Sequence, residues 1–211
     1  VQQDLSEIVI VLDRSGSMSS CKTDAEGGLN SFIEQQKKQP GRALFTLIQF
    51  DTEYEFVHRA KPIGEVPHCP LVPRGMTALL DAVGRGIAET GDRLSKMDEK
   101  DRPGLVVFVI ITDGYENSSK EFTKERIKAM IQHQQDVYKW QFTFLGANQD
   151  AFAEAGGLGI KGAAANYTPT TAKSAFAAAA GNVSRMRACG LTGQSVSNEY
   201  TPEEVRSMSG K

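Results

Sequence analysis

Three short stretches hold the side chains best placed to do chemistry together. They are Asp13, Ser15 and Ser17 in Asp13-Arg14-Ser15-Gly16-Ser17, Thr77 at the end of Arg74-Gly75-Met76-Thr77, and Asp113 at the head of Asp113-Gly114-Tyr115. All five offer oxygen, and neither cysteine nor histidine occurs in these stretches. Hard divalent cations take oxygen donors, and Mg²⁺ in particular demands a near-octahedral array and keeps several of its waters. Three hydroxyls and two carboxylates suit Mg²⁺, with Mn²⁺ or Ca²⁺ as substitutes, and argue against zinc or copper. Gly16 lets the turn close tightly enough for Ser15 and Ser17 to point the same way. Taken alone, Asp13, Ser15 and Ser17 would serve equally well as a strand-to-helix turn whose side chains cap backbone amides. Thr77 and Asp113, each at a strand end or helix start, make the metal reading the stronger one.

For such residues to meet, the elements that carry them must end at one edge of a sheet. Ile8 to Leu12 is a continuous β-branched and aliphatic run ending at Asp13, the pattern of a strand buried on both faces. Leu105 to Ile111, ending just before Asp113, is the strongest such run in the chain. Between them, Ala25, Leu29, Phe32 and Ile33 repeat at helical spacing until Pro40-Gly41. Ala43 to Phe50 reads as a strand, and Tyr54, Phe56 and His58 alternate as its hairpin partner at an edge. Lys61 to Pro73 holds four of the eight prolines and reads as a loop, followed by a long amphipathic helix through Leu79, Val83, Ile87 and Leu94. Further on come a helix through Ile127 and Ile131 with Thr123 as its cap, a strand over Trp140 to Leu145, a short helix over Asp150 to Ala155, a last strand near Ala165 to Tyr167, and an Ala-rich helix through Phe176 and Val183. This alternation predicts a doubly wound α/β fold: an open, mostly parallel sheet with one antiparallel edge strand and helices on both faces. In such folds ligands bind beyond the carboxyl ends of the strands, where the winding reverses. One domain over residues 1–190 is expected, with residues 191–211 a polar tail without periodicity, open to disorder.

Composition narrows the function. At 211 residues, 24 Lys and Arg against 26 Asp and Glu leave a net charge of -2, which gives no general attraction to nucleic acid or to an anionic membrane. Cys21, Cys69 and Cys189 lack the paired spacing of a zinc or dithiol site and read as free thiols of a reducing compartment. No apolar run is long enough to span a bilayer, and Val1 to Glu7 lacks the marks of a secretory signal, so a soluble cytoplasmic protein is expected. Gly157-Leu158-Gly159-Ile160-Lys161-Gly162 matches the dinucleotide fingerprint as a string but does not follow a strand or open a helix. Ser209-Gly210-Lys211 lacks the upstream glycine of a phosphate loop. His58, His68 and His133 have no spacing that pairs them with one another or with a carboxylate, and surface or edge positions are expected for them.

Asp13-x-Ser15-x-Ser17, the later Thr77 and the later Asp113 resemble the metal-ion-dependent adhesion site of von Willebrand factor type A domains, over residues 5–188 of this chain. Leu12-Asp13-Arg14-Ser15-Gly16-Ser17-Met18, with Gly27 to Phe32 behind it, resembles stand-alone bacterial and phage members more than animal receptors. The resemblance implies that Ser15, Ser17 and Thr77 ligate the ion directly or through water, that Asp13 and Asp113 act largely through bound water, and that a partner protein completes the site with an acidic residue. It implies binding and not catalysis. Tyr115 and Asn117, just past Asp113, are expected at the rim of the ligand surface. The enzymatic alternative is a metal-dependent phosphatase of the haloacid-dehalogenase kind with Asp13 as nucleophile. That chemistry needs a second carboxylate two residues on, where this chain has Ser15. A nucleotide-binding α/β protein is opposed by the lack of a phosphate loop after the first strand.

Overall fold

The computed structural model describes residues 1–147 and 150–210. Six strands form one sheet: β1 (Gln2–Asp13), β2 (Arg42–Phe50), β3 (Tyr54–Pro62), β4 (Pro103–Thr112), β5 (Gln141–Ala147) and β6 (Ala164–Tyr167), in the order β3-β2-β1-β4-β5-β6. All neighbours are parallel except β2 and β3, which form the expected antiparallel hairpin at one edge. β1 extends further than its apolar run, because Gln2 pairs with Pro103 beyond an irregularity in the ladder with β4. The winding reverses between β1 and β4, so the loops after Asp13 and after Thr112 leave the sheet side by side.

Strand alternation splits the core in two. Ile8, Ile10 and Leu12 pack with Val107 and Val109 under α1 (Lys22–Lys37) and α5 (Ala172–Thr192). Val9 and Val11 pack with Phe108 and Ile110 under α2 (Leu79–Ser95), α3 (Lys124–Tyr138) and the short α4 (Ala151–Gly157). Both faces of β1 from Ile8 on and of β4 from Leu105 on are therefore buried, which is why residues 8–12 and 105–111 run apolar without a polar beat. Thr123 caps α3 by accepting the Arg126 N–H.

The C-terminal segment departs from expectation. Residues 191–210 fold back on the domain instead of trailing from it, and end in α6 (Pro202–Ser209), packed on α5 with Met208 fully buried. A capping box starts this helix: Thr201 Oγ1 accepts the Glu204 N–H while Glu204 returns the bond to the Thr201 N–H. Ahead of it Asn198 is buried, donating to Phe142 O at 2.9 Å and accepting from Thr143 and Asn182. Lys211 lies outside the described residues. The histidines take the surface and edge positions expected, His68 and His133 exposed and His58 on the edge strand β3, with His68 Nε2 3.2 Å from Glu26 and His58 Nε2 3.5 Å from Cys69 Sγ. Among the described residues no helix is long and apolar enough to cross a membrane.

Candidate metal centre

β1 ends at Asp13, whose carboxylate is fully buried and accepts two hydrogen bonds at 2.6 Å, from the Ser15 N–H to Oδ1 and from the Thr112 hydroxyl to Oδ2. The first closes the turn. The second ties the end of β1 to the end of β4. Beyond the turn, Ser15 Oγ and Ser17 Oγ lie 3.0 Å apart, and Ser17 Oγ donates to Asp113 Oδ1 at 2.6 Å. Thr77 comes from the other side: a Cβ built on Gly114 would stand 3.4 Å from Thr77 Oγ1 and 3.7 Å from Ser17 Oγ, so both hydroxyls flank the same glycine. All five residues proposed from sequence thus gather above the β1–β4 reversal. Asp13, Ser15, Thr77 and Asp113 are buried, while Ser17 opens to solvent.

Thr77 is held by its own backbone, leaving its hydroxyl for the site. Its N–H donates to Asn117 Oδ1 at 2.9 Å and its carbonyl accepts the Asn117 N–H at 3.0 Å. The loop that supplies Asn117 is fixed in turn by two carboxylates. Glu116 accepts from Ser118, Ser119 and the Leu80 N–H, and Asp81 accepts the N–H groups of Lys120, Glu121 and Phe122. Asn117, expected at the rim, therefore turns its side-chain carbonyl inward onto Thr77. Tyr115 is 60% exposed beside the site. The sequence reading missed Thr112 and Tyr167, whose hydroxyl donates to Thr112 O at 3.2 Å from β6. The signal for Thr112 was its place between an apolar strand and Asp113, but a threonine there reads as one more β-former.

Burial pushes the Asp13 carboxyl up to about 6, against the hydrogen bonds from Thr112 and Ser15, and neighbouring Asp113 adds to the rise. Asp113 is raised for the same leading reason. A divalent cation fits this donor set: two carboxylates held where burial opposes their charge, three hydroxyls beside them, and no imidazole or sulfur. The nearby Cys21 thiol is turned to Met18 O. Among the described residues no group of three or more His, Cys, Asp or Glu could hold a metal ion, so the hydroxyls are indispensable to any such site.

No family sequence model and no curated protein sequence matches the chain. Solved structures do. A von Willebrand factor type A protein from Catenulispora acidiphila superposes with a TM-score of 0.57 at 16% identity, covering 88% of this chain and 42% of that one. The fold is that of a von Willebrand factor type A domain. Proximal thread matrix protein 1 of the mussel byssus has this fold at a TM-score of 0.57 and 13% identity, covering 83% of this chain and 45% of that one. A further structure of that mussel protein, with a TM-score of 0.50 and 15% identity, has a zinc-occupied MIDAS motif and covers 77% of this chain and 41% of that one. The von Willebrand factor domain of the pilus tip protein Mfa5 from Porphyromonas gingivalis matches at a TM-score of 0.50 and 12% identity, with 84% of this chain and 94% of that one covered. The chain spans less than half the length of the Catenulispora and mussel chains.

Proposed function

We propose that this domain binds a partner protein through one divalent cation, held by Asp13, Ser15, Ser17, Thr77 and Asp113 and completed by a carboxylate of the partner. The observation that carries the proposal is the meeting of three hydroxyls and two carboxylates from three loops at the reversal of the sheet, with Ser17 Oγ bonded to Asp113 across a separation of 96 residues. An all-oxygen set favours Mg²⁺, with Mn²⁺ and Ca²⁺ as substitutes. The ion supplies positive charge that an external carboxylate can use, because three of the five groups beside it are neutral.

The domain acts as a binder and not as an enzyme. Phosphatase chemistry at Asp13 needs a second carboxylate two residues on as general acid, and this chain has the neutral hydroxyl of Ser15 there. Three free thiols, two of them buried, support a cytoplasmic setting. Calorimetry with Mg²⁺ and Mn²⁺ tests the site: Asp13→Ala and Asp113→Ala each abolish binding, and unchanged affinity in both removes the proposal. With a partner in hand, EDTA abolishes the complex, and changing one interfacial acid of the partner to its amide does the same. A complex that survives EDTA and every such change uses another surface.

A further inference from the structure

Arg14 stands inside the Asp13-x-Ser15 turn, yet it is buried, and its Nε donates to Asp51 Oδ2 at 2.7 Å. The same oxygen accepts Nε of Arg74 at 2.9 Å, from the loop that leads to Thr77. Asp51 Oδ1 accepts the Glu53 N–H at 3.0 Å, closing the β2–β3 turn. Backbone bonds repeat the same connections. Arg14 N–H donates to Phe50 O at 2.7 Å, Arg74 N–H to Arg14 O at 2.8 Å, Gly16 N–H to Gly75 O at 3.1 Å, and Ala78 N–H to Asp51 O at 2.7 Å. Gly75 has φ +68, and a Cβ there would meet Thr52 Oγ1 at 2.7 Å, so the loop passes too close to the hairpin for any side chain.

A buried ion pair adds little stability over apolar packing, since removing charge from water offsets most of the attraction. Its use here is to fix the Thr77 loop, which belongs to no strand pairing, against the Ser15–Ser17 turn and the β2–β3 hairpin, whose strands already pair as far as Asp13 and Phe50. We infer that Asp51 is a positioning residue of the metal centre: through Arg14 and Arg74 its carboxylate holds the Thr77 loop against the Ser15–Ser17 turn, and so sets cation affinity without touching the ion. The inference rests on the metal site proposed above.

Asp51→Asn is nearly isosteric but has one acceptor oxygen where the carboxylate uses two, so an amide N–H₂ must face either a guanidinium or the Glu53 N–H. Arg74→Ala removes an exposed side chain and serves if the first variant fails to fold. Two measurements on the full chain decide the matter: amide hydrogen exchange at Gly16, Arg74 and Ala78 in EDTA, and titration with Mn²⁺ alone. The expected result is faster exchange at these amides and Mn²⁺ affinity weaker by about tenfold or more, the scale on which groups that orient metal ligands act. Unchanged affinity in the folded variants, whatever their stability, overturns the inference. If wild type binds no Mn²⁺, faster exchange in the variants still supports Asp51 as the link between loops while the metal reading fails. Unchanged exchange removes the link itself.

Discussion

At Asp13 burial works against the charge while the Ser15 amide and the Thr112 hydroxyl work for it, and burial prevails, leaving a carboxyl that titrates at about 6 against 3.8 for the ordinary group. A raised value means that the folded state holds the proton more tightly than the unfolded chain. The stability this contributes is complete below about pH 4 and is lost as pH rises through about 6, a loss of about 3 kcal/mol by the usual conversion. Urea unfolding in EDTA is therefore expected to find Asp13→Asn more stable than wild type at pH 7.5 and close to it at pH 4. A variant less stable at both would make Asp13 a structural residue. Asn117→Ala acts the other way, leaving the Thr77 N–H unpaired in a buried position, for about 1–3 kcal/mol of lost stability together with weaker Mg²⁺ binding by calorimetry. Tyr115→Ala, at an exposed position, leaves both unchanged and alters partner binding alone.

Elements that bury two faces announced themselves in the sequence, and those held by a few polar contacts did not. β1 and β4 carry uninterrupted apolar runs, and Asp13, Ser15, Ser17 and Asp113 of the proposed metal site are readable because they sit where those runs stop, while Thr77 is readable from its place just ahead of α2. α6 is eight residues long and buries only Met208, so no periodicity marks it. Its start was nevertheless written in Thr201-Pro202-Glu203-Glu204, a capping box with proline in the first turn. Nothing in the sequence marks the pairing of Arg14 with Asp51, because a buried guanidinium between loops has no local signature. The segment before α6 is fixed by close approach: a Cβ on Gly162 would fall 2.1 Å from Phe142 O and 2.3 Å from Asn198 Nδ2. Gly162→Ala must then expel Asn198 and leave Thr143 and Asn182 without their partner. Thermal unfolding should show a loss above about 3 kcal/mol, the range reserved for broken buried networks. Asn198→Ala in the Gly162→Ala background should then cost little more, since the two changes break the same contact.

For the whole molecule, a cation bound only by the native state stabilises it by mass action, about 2.7 kcal/mol at a hundredfold excess over Kd. In a domain of this size each kcal/mol moves Tm by roughly 2–4 °C. Saturating Mg²⁺ or Mn²⁺ is expected to raise Tm by roughly 5–10 °C in wild type and not at all in Asp113→Ala, as scanning calorimetry would show. The side-by-side exit of β1 and β4 has a further consequence, in time. Thr112 bonds to Asp13 across 99 residues, and Ser17 to Asp113 across 96. Such contacts close long loops and come late in folding. During synthesis the proposed site cannot form until Asp113 has been made and β4 has docked against β1. Cation binding therefore reports that the two central strands have paired, whatever the state of the elements that follow β4.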